Sequence, residues 1–222
     1  CLPLHFDQPT MLAGWAPGGQ DFVLPPDVGE ENPAPGSTLM VEWHYFNNAN
    51  SALADRSAVR ICTVPQDKRP HVASITWLGT EDIGGLIGMP PGQKSSYSGV
   101  CNPGRMGLSA QDSIHLLYAT PHMHQYGRHT QITIQRATGG SDTVLDQPFS
   151  DRQQIFYPID ADVLPGDSIQ TTCSYENTSD RNIPWGSPFG DGEMCYAFVL
   201  HYPAHSLDNG ASSVLGASNT CW

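Results

Sequence analysis

The sequence predicts an all-β protein organised around an antiparallel, jelly-roll-like β-sandwich. With 19 prolines and 22 glycines in 222 residues, the chain favours short strands joined by turns. No segment keeps a helical apolar period beyond about two turns. Short apolar or alternating segments recur instead at regular spacing between turns such as Gly139–Asp142 and Leu164–Asp167, the pattern of a sandwich.

Two strands are predicted in the first part of the chain. One is residues 38–46, where apolar and polar side chains alternate, and the other is the apolar run of residues 58–64. In the first of them, His44 falls on the face opposite the apolar set. A hydrogen-bonded strand histidine and a functional histidine are equal alternatives at that position.

A linker is predicted at residues 65–70, which are polar and flanked by prolines. It divides the chain into residues 1–65, with strands of a second, incomplete β-sandwich, and residues 66–222, with the complete one. In the second part the expected strands are residues 72–78, 83–89, 114–118, 130–136, 155–159, 168–175 and 194–202. The polar tail at residues 206–220 is expected to be ordered only if Cys221 ties it down.

The charge balance excludes two classes of partner. The chain has 10 Lys and Arg residues against 22 Asp and Glu, a net charge of −12, which argues against nucleic acid and anionic membrane surfaces. The sequence contains neither a signal peptide nor a membrane-spanning segment. These features suit a solvated protein that acts on neutral or cationic small molecules.

The cysteines predict an oxidising compartment. Six of them lie at positions 1, 62, 101, 173, 195 and 221 without a C-x-x-C pair, which indicates three disulfides and a secreted or extracellular protein. Asn177-Thr178-Ser179 is an N-glycosylation sequon, which predicts a glycoprotein if the host is a eukaryote.

A metal site is predicted at His122 and His124. Residues i and i+2 of an extended strand project from the same face, so the two imidazoles stand side by side. Surface or hydrogen-bonded histidines share this pattern, and a catalytic metal needs a third ligand. We propose Met194, because a disulfide at the adjacent Cys195 would fix its position; core packing is its alternative role. Two imidazoles and a thioether form a soft, mixed donor set that suits copper, particularly Cu(I).

Together these features resemble the copper type II, ascorbate-dependent monooxygenases, the family of peptidylglycine α-hydroxylating and dopamine β-monooxygenases. The resemblance rests on the His-x-His pair, on Glu193-Met194-Cys195, and upstream on Val41-Glu-Trp-His-Tyr45. It spans nearly the whole chain. It therefore implies a fold, a cofactor and a set of site residues.

The resemblance implies two copper positions. His122, His124 and Met194 would hold the copper at which dioxygen and substrate react, with ascorbate as reductant for C–H hydroxylation. The family's second copper is held by a His-His pair and a further histidine, and only the last has a counterpart here, His44. No His-His pair occurs in the 222 residues. We therefore expect one copper per chain, and the alternative to a monooxygenase is a secreted copper-binding or interaction module.

The resemblance also implies a substrate class. Peptide-amidating members hold the substrate carboxylate with Arg, Asn and Tyr at positions that here read Thr120, Tyr196 and Phe198. A glycine-extended peptide is therefore not the expected substrate, and an amine suits the acidic surface better.

Domain identity and disulfide pairing follow from the same resemblance. Residues 1–65 would be the end of the family's N-terminal domain, and residues 66–222 its C-terminal domain. The implied disulfides are Cys173–Cys195 and Cys101–Cys221. Cys1 and Cys62 are then left to pair with each other or with a missing upstream segment.

Overall fold

The computed structural model describes residues 11–15, 19, 23–41, 43, 45, 50–103, 113–186, 191–209 and 220–222. Within these ranges the strands are β1 (Val28–Glu30), β2 (His71–Thr80), β3 (Lys94–Cys101), β4 (Ile114–His122), β5 (Gly127–Gln135), β6 (Ser141–Pro148), β7 (Tyr157–Val163), β8 (Ser168–Glu176), β9 (Cys195–Tyr202) and β10 (Thr220–Cys221). A 3₁₀ helix at Gln66–Lys68 lies inside the predicted linker. No helix in the described part of the chain is long and apolar enough to cross a membrane.

The strands form two sheets. The larger sheet has the order β1-β2-β9-β4-β7, and β10 also pairs with β2; the smaller sheet has the order β3-β8-β5-β6. Neighbouring strands are antiparallel, except that β1 and β10 run parallel to β2. The prediction of an all-β antiparallel sandwich is confirmed.

An apolar core fills the space between the sheets. Alternation along β9 sends Ala197 and Val199 into this core, whereas Leu200 joins a second cluster on the outer face of the larger sheet. Val28 on β1 belongs to that outer cluster, so a residue upstream of the linker packs against the sandwich. Burial of each large aliphatic side chain contributes about 1.5–3 kcal/mol to folding.

Each disulfide joins the two sheets. Cys173 on β8 is bonded to Cys195 on β9, and Cys101 on β3 is bonded to Cys221 on β10. The family resemblance implies these two pairings, and the prediction of both disulfides is confirmed. Cys62 is exposed and forms no disulfide within the described residues.

The two strands predicted upstream of the linker do not form in the described residues. Residues 58–64 and the described part of 38–46 belong to no strand and join no ladder. Leu39, Val41 and Trp43 remain 46–51 % exposed. The alternation is real, but a strand also needs a neighbour that takes up its backbone hydrogen bonds and a layer that covers its apolar face.

The strand predicted at residues 83–89 is also wrong, because this segment is a turn. Gly84 and Gly88 adopt φ angles of +73° and +77°, which an extended strand does not contain. The amide of Gly88 donates a hydrogen bond to the carbonyl of Gly84 and closes the turn. The apolar side chains at its tip remain exposed.

The folded structure contradicts a glycan at Asn177. This side chain is fully buried, and its amide nitrogen donates to the carbonyl oxygens of Met89, Pro90 and Arg181 at 2.8–3.0 Å. A sugar on that nitrogen would remove these hydrogen bonds and has no space in the fold. Asn177 is therefore a structural residue.

Candidate metal centre

His122 and His124 lie where β4 leads into the turn towards β5. His122 is the last residue of β4, and His124 follows in the connecting loop. Met123 between them is fully buried in the apolar cluster around the Cys173–Cys195 disulfide, so the two histidines project away from that cluster. Their rings are adjacent, with centroids 5.6 Å apart and planes at 87°. The predicted side-by-side arrangement is present.

Hydrogen bonds fix which nitrogen of each ring carries the proton. Nδ1 of His124 lies 2.8 Å from the carbonyl oxygen of Gly192, and Nδ1 of His122 lies 2.9 Å from Oε1 of Gln154. A carbonyl or amide oxygen only accepts, so Nδ1 is the donor in each neutral ring. The lone pair is then on Nε2, which is the nitrogen that would bind a metal in this tautomer.

Burial favours the neutral form of His124. The side chain is almost fully buried, and desolvation lowers the pKa of its imidazole, against the opposing effects of the Gly192 hydrogen bond and the charge of Asp151. The neutral ring is the form that binds metals.

The strand register brings Met194 to the same end of the larger sheet. β4 pairs with β9 up to its last residue, where His122 is opposite Tyr196, and Met194 directly precedes the first residue of β9, Cys195. Met194 is 4 % exposed, yet it belongs to none of the three apolar clusters of the described residues. By contrast, Met89 is fully buried inside one of those clusters. These three clusters therefore do not account for the burial of Met194.

Glu193 connects the methionine segment to the histidine turn. Its fully buried carboxylate accepts hydrogen bonds from the backbone N–H groups of His124 and Tyr126, each at 2.7 Å. Burial raises the pKa of Glu193 to about 7, and these backbone hydrogen bonds oppose the rise. The sequence motif contained Glu193, but only the structure reveals these contacts.

An aromatic strip borders His122 on the outer face of the larger sheet. The His122 ring stacks on Phe198 at 5.2 Å, and Trp77 lies 5.0 Å from Phe198 and 5.5 Å from Tyr196 between ring centroids. The phenol of Tyr196 donates to a carboxylate oxygen of Glu81 at 2.9 Å. The strip thus places the rings of Phe198 and Trp77 and the carboxylate of Glu81 in one region of this face.

The donor set fits copper better than zinc. In the described ranges no three His, Cys, Asp or Glu side chains converge on one metal position. Two imidazoles and a thioether are what the described residues offer at this end of the sheet, a mixture typical of copper rather than of structural zinc. His44, the predicted remnant of a second copper site, lies outside the described residues.

Two groups at this site have no signal in the sequence. Gln154, which accepts from His122, lies in the loop between β6 and β7, 32 residues along the chain. Gly192 acts through its backbone carbonyl, which every residue type possesses. Only the folded chain identifies them.

Comparison with known proteins decides the family. The model of the copper type II ascorbate-dependent monooxygenase C-terminal domain matches residues 71–219, a span that contains His122, His124 and Met194. The chain belongs to this monooxygenase family. As the name of the family says, its members contain type II copper and depend on ascorbate.

Relatives from several animals match most of the length of this chain. A Drosophila melanogaster protein named MOXD1 homolog 1 is 32% identical over 203 residues, covering 87% of this chain and 28% of the relative. DBH-like monooxygenase protein 1 of Gallus gallus is 28% identical, covering 91% and 34%. Dopamine beta-hydroxylase of Bos taurus is 30% identical, covering 92% and 34%. The chain spans about a third of the length of these relatives.

Proposed function

We propose that the chain holds the substrate-side copper of a monooxygenase that hydroxylates a C–H bond of a small molecule. The observation that carries this proposal is the adjacent pair of His122 and His124, each with Nδ1 held by an oxygen acceptor. With Nδ1 held in both rings, Nε2 of each ring is the nitrogen that would bind the metal. Buried Met194, which directly precedes β9 at the end of the sheet where β4 ends at His122, would supply the thioether.

Nε2 of His122, Nε2 of His124 and the sulfur of Met194 would hold the metal. Copper bound there supplies one-electron redox chemistry. In the overall reaction one atom of dioxygen enters the C–H bond and the other becomes water, with two electrons and two protons from a reductant of the ascorbate type. Gln154 and Gly192 keep the rings oriented, and burial of His124 excludes water from that side of the site.

An amine is the substrate class that we propose. Phe198 and Trp77, which are only partly buried, offer ring surfaces near His122, and Glu81, which accepts from the buried Tyr196, adds a carboxylate that can accept from an ammonium group. One relative is named dopamine beta-hydroxylase, which agrees with this class. The two inter-sheet disulfides indicate an oxidising compartment, and we propose that the protein is secreted.

Copper titration tests the site directly. We expect one tightly bound copper per chain and loss of tight binding in both His122→Ala and His124→Ala, because two remaining ligands do not define a closed site. Two tightly bound coppers, or unchanged affinity in either variant, would contradict this assignment of ligands. Melting of the metal-free variants provides the control for folding.

A second candidate is a copper-binding module without oxygenase activity. The 222 residues contain no adjacent His-His pair, so this stretch by itself supplies ligands for the substrate-side copper and not for the second copper that the resemblance implies. Oxygen uptake with ascorbate and an aromatic amine, corrected for free copper, separates the two. Formation of hydroxylated product in step with oxygen uptake supports the monooxygenase, whereas copper binding without product supports the module.

A further inference from the structure

We infer that Glu193 is a positioning residue that locks the methionine and histidine segments of the candidate copper site together. The inference rests on the proposed function. Residues 192–194 meet the turn after β4 at successive positions: the Gly192 carbonyl accepts from the His124 ring, and the Glu193 carboxylate accepts from the His124 and Tyr126 backbone. Met194, the proposed ligand, comes next in the chain.

The hydrogen bonds of Glu193 account for both of its oxygens. Oε2 accepts from the N–H of His124 and Oε1 from the N–H of Tyr126, at the short distance of 2.7 Å that charged acceptors favour. Oε2 also lies 3.3 Å from the Met194 amide nitrogen, a longer contact within the same segment. An apolar residue here would leave two buried N–H groups without an acceptor. The carboxylate therefore serves the backbone that carries His124.

The backbone of Glu193 is held from the opposite side. Its N–H donates to the carbonyl of Pro184, and its carbonyl accepts from the N–H of Gly186, both at 3.0 Å. A side chain at Gly192 would come within 2.6 Å of the Gly186 carbonyl, so this segment lies directly against neighbouring backbone. The backbone of this segment is thus held on one side, while the Glu193 side chain contacts the histidine turn on the other side. A shift of the segment would therefore move Met194 and His124 together.

Asp167 provides a matched control. It is also a buried carboxylate that accepts from two backbone N–H groups, those of Ala137 at 2.9 Å and Leu164 at 3.0 Å, and it pairs with Arg136 at 2.7 Å. It ties together two turns and contacts no residue of the candidate site in the described part of the chain. Asp167→Asn therefore reports the cost of losing such a carboxylate without affecting the metal ligands.

The first experiment compares Glu193→Gln with Asp167→Asn. The glutamine keeps the shape but exchanges one accepting oxygen for a donating NH₂ group, so one N–H of the histidine turn loses its acceptor. We expect Glu193→Gln to lower Cu(I) and Cu(II) affinity by about 10–100-fold and to change the Cu(II) EPR spectrum. Asp167→Asn should lower the melting temperature of the metal-free chain and leave affinity and spectrum unchanged. Wild-type affinity in folded Glu193→Gln would overturn the inference.

A second measurement applies even if Glu193→Gln does not fold. In the metal-free wild-type chain, hydrogen exchange of the His124 and Tyr126 amides should be as slow as that of the core strands, although both residues lie outside strands. Exchange as fast as that of exposed loop amides would overturn the inference. If the wild-type chain binds no copper, the proposed function fails and the inference with it. Copper binding that is insensitive to Glu193→Gln overturns the inference alone.

Discussion

Replacing Met194 by alanine distinguishes a copper ligand from a packing methionine. Met194 is 4 % exposed, so truncation removes buried atoms in either role and costs about 2–5 kcal/mol of folding free energy. In a chain of this size each kcal/mol lowers the melting temperature by about 2–4 °C, which gives a decrease of roughly 4–20 °C. Loss of stability therefore does not discriminate between the roles, and the copper affinity must be measured.

The two roles differ in Cu(I) affinity. A thioether ligand favours Cu(I), so Met194→Ala should weaken Cu(I) binding by at least about 10–100-fold, while the imidazole pair of His122 and His124 still holds Cu(II). Met89→Ala is the control, because Met89 is fully buried in an apolar cluster and is not a proposed ligand. It should lose comparable stability and keep both affinities.

Anaerobic competition against a Cu(I) chelator measures the first affinity, and titration in air measures the second. Melting of each metal-free variant gives the loss of stability on the same samples. The reasoning is refuted if Met194→Ala retains wild-type Cu(I) affinity, or if Met89→Ala loses as much Cu(I) affinity as Met194→Ala. In either outcome the thioether is not a ligand, and only a His-x-His metal patch remains.

Two further predictions concern stability. Removing Cys173–Cys195, which closes a 22-residue separation, should cost about 3 kcal/mol, and removing Cys101–Cys221, across 120 residues, about 5 kcal/mol; equal costs in urea unfolding would contradict this loop-length argument. Burial raises the pKa of Glu30 from 4.5 to about 7, so the folded state favours the protonated carboxyl. Its contribution is fully present below pH 4.5 and is lost as the pH rises through 7, by up to about 3 kcal/mol. Glu30→Gln should remove this part of the pH dependence, and an unchanged profile would show that Glu30 is not the group responsible.

Strands with an apolar period could be predicted from the sequence, and a strand stabilised by its neighbour could not. β9 could be predicted because its sequence is a nearly continuous apolar run, and six of its eight residues are buried. β3 does not, since its sequence is rich in serine. Ser96 and Ser98 hydrogen-bond to hydroxyl groups on β8, Ser174 at 2.9 Å and Thr172 at 2.8 Å, and such pairs are visible only once the strands are side by side.

The candidate site also has features that could be predicted from the sequence and others that could not. The His-x-His spacing predicts adjacent imidazoles from strand geometry alone, and His122 and His124 are adjacent in the structure. The groups that orient those rings could not be predicted. Gln154 lies in a loop, and Gly192 contributes only a backbone carbonyl, which has no residue preference. The sequon at Asn177 failed for the related reason that a local motif does not report burial.

A β-sandwich can bring a distant methionine close to a histidine pair and restrain it there, and this explains the location of the candidate site. Antiparallel pairing of β4 with β9 brings His124 and Met194, which are 70 positions apart in the sequence, to one end of one sheet. The disulfide at Cys195 and the contacts of Glu193 then restrain the methionine segment against the histidine turn. A thioether is a weak ligand, so it holds a metal only where its position is fixed before the metal arrives. The restraint of this end of the larger sheet is therefore what would allow Met194 to act as a ligand.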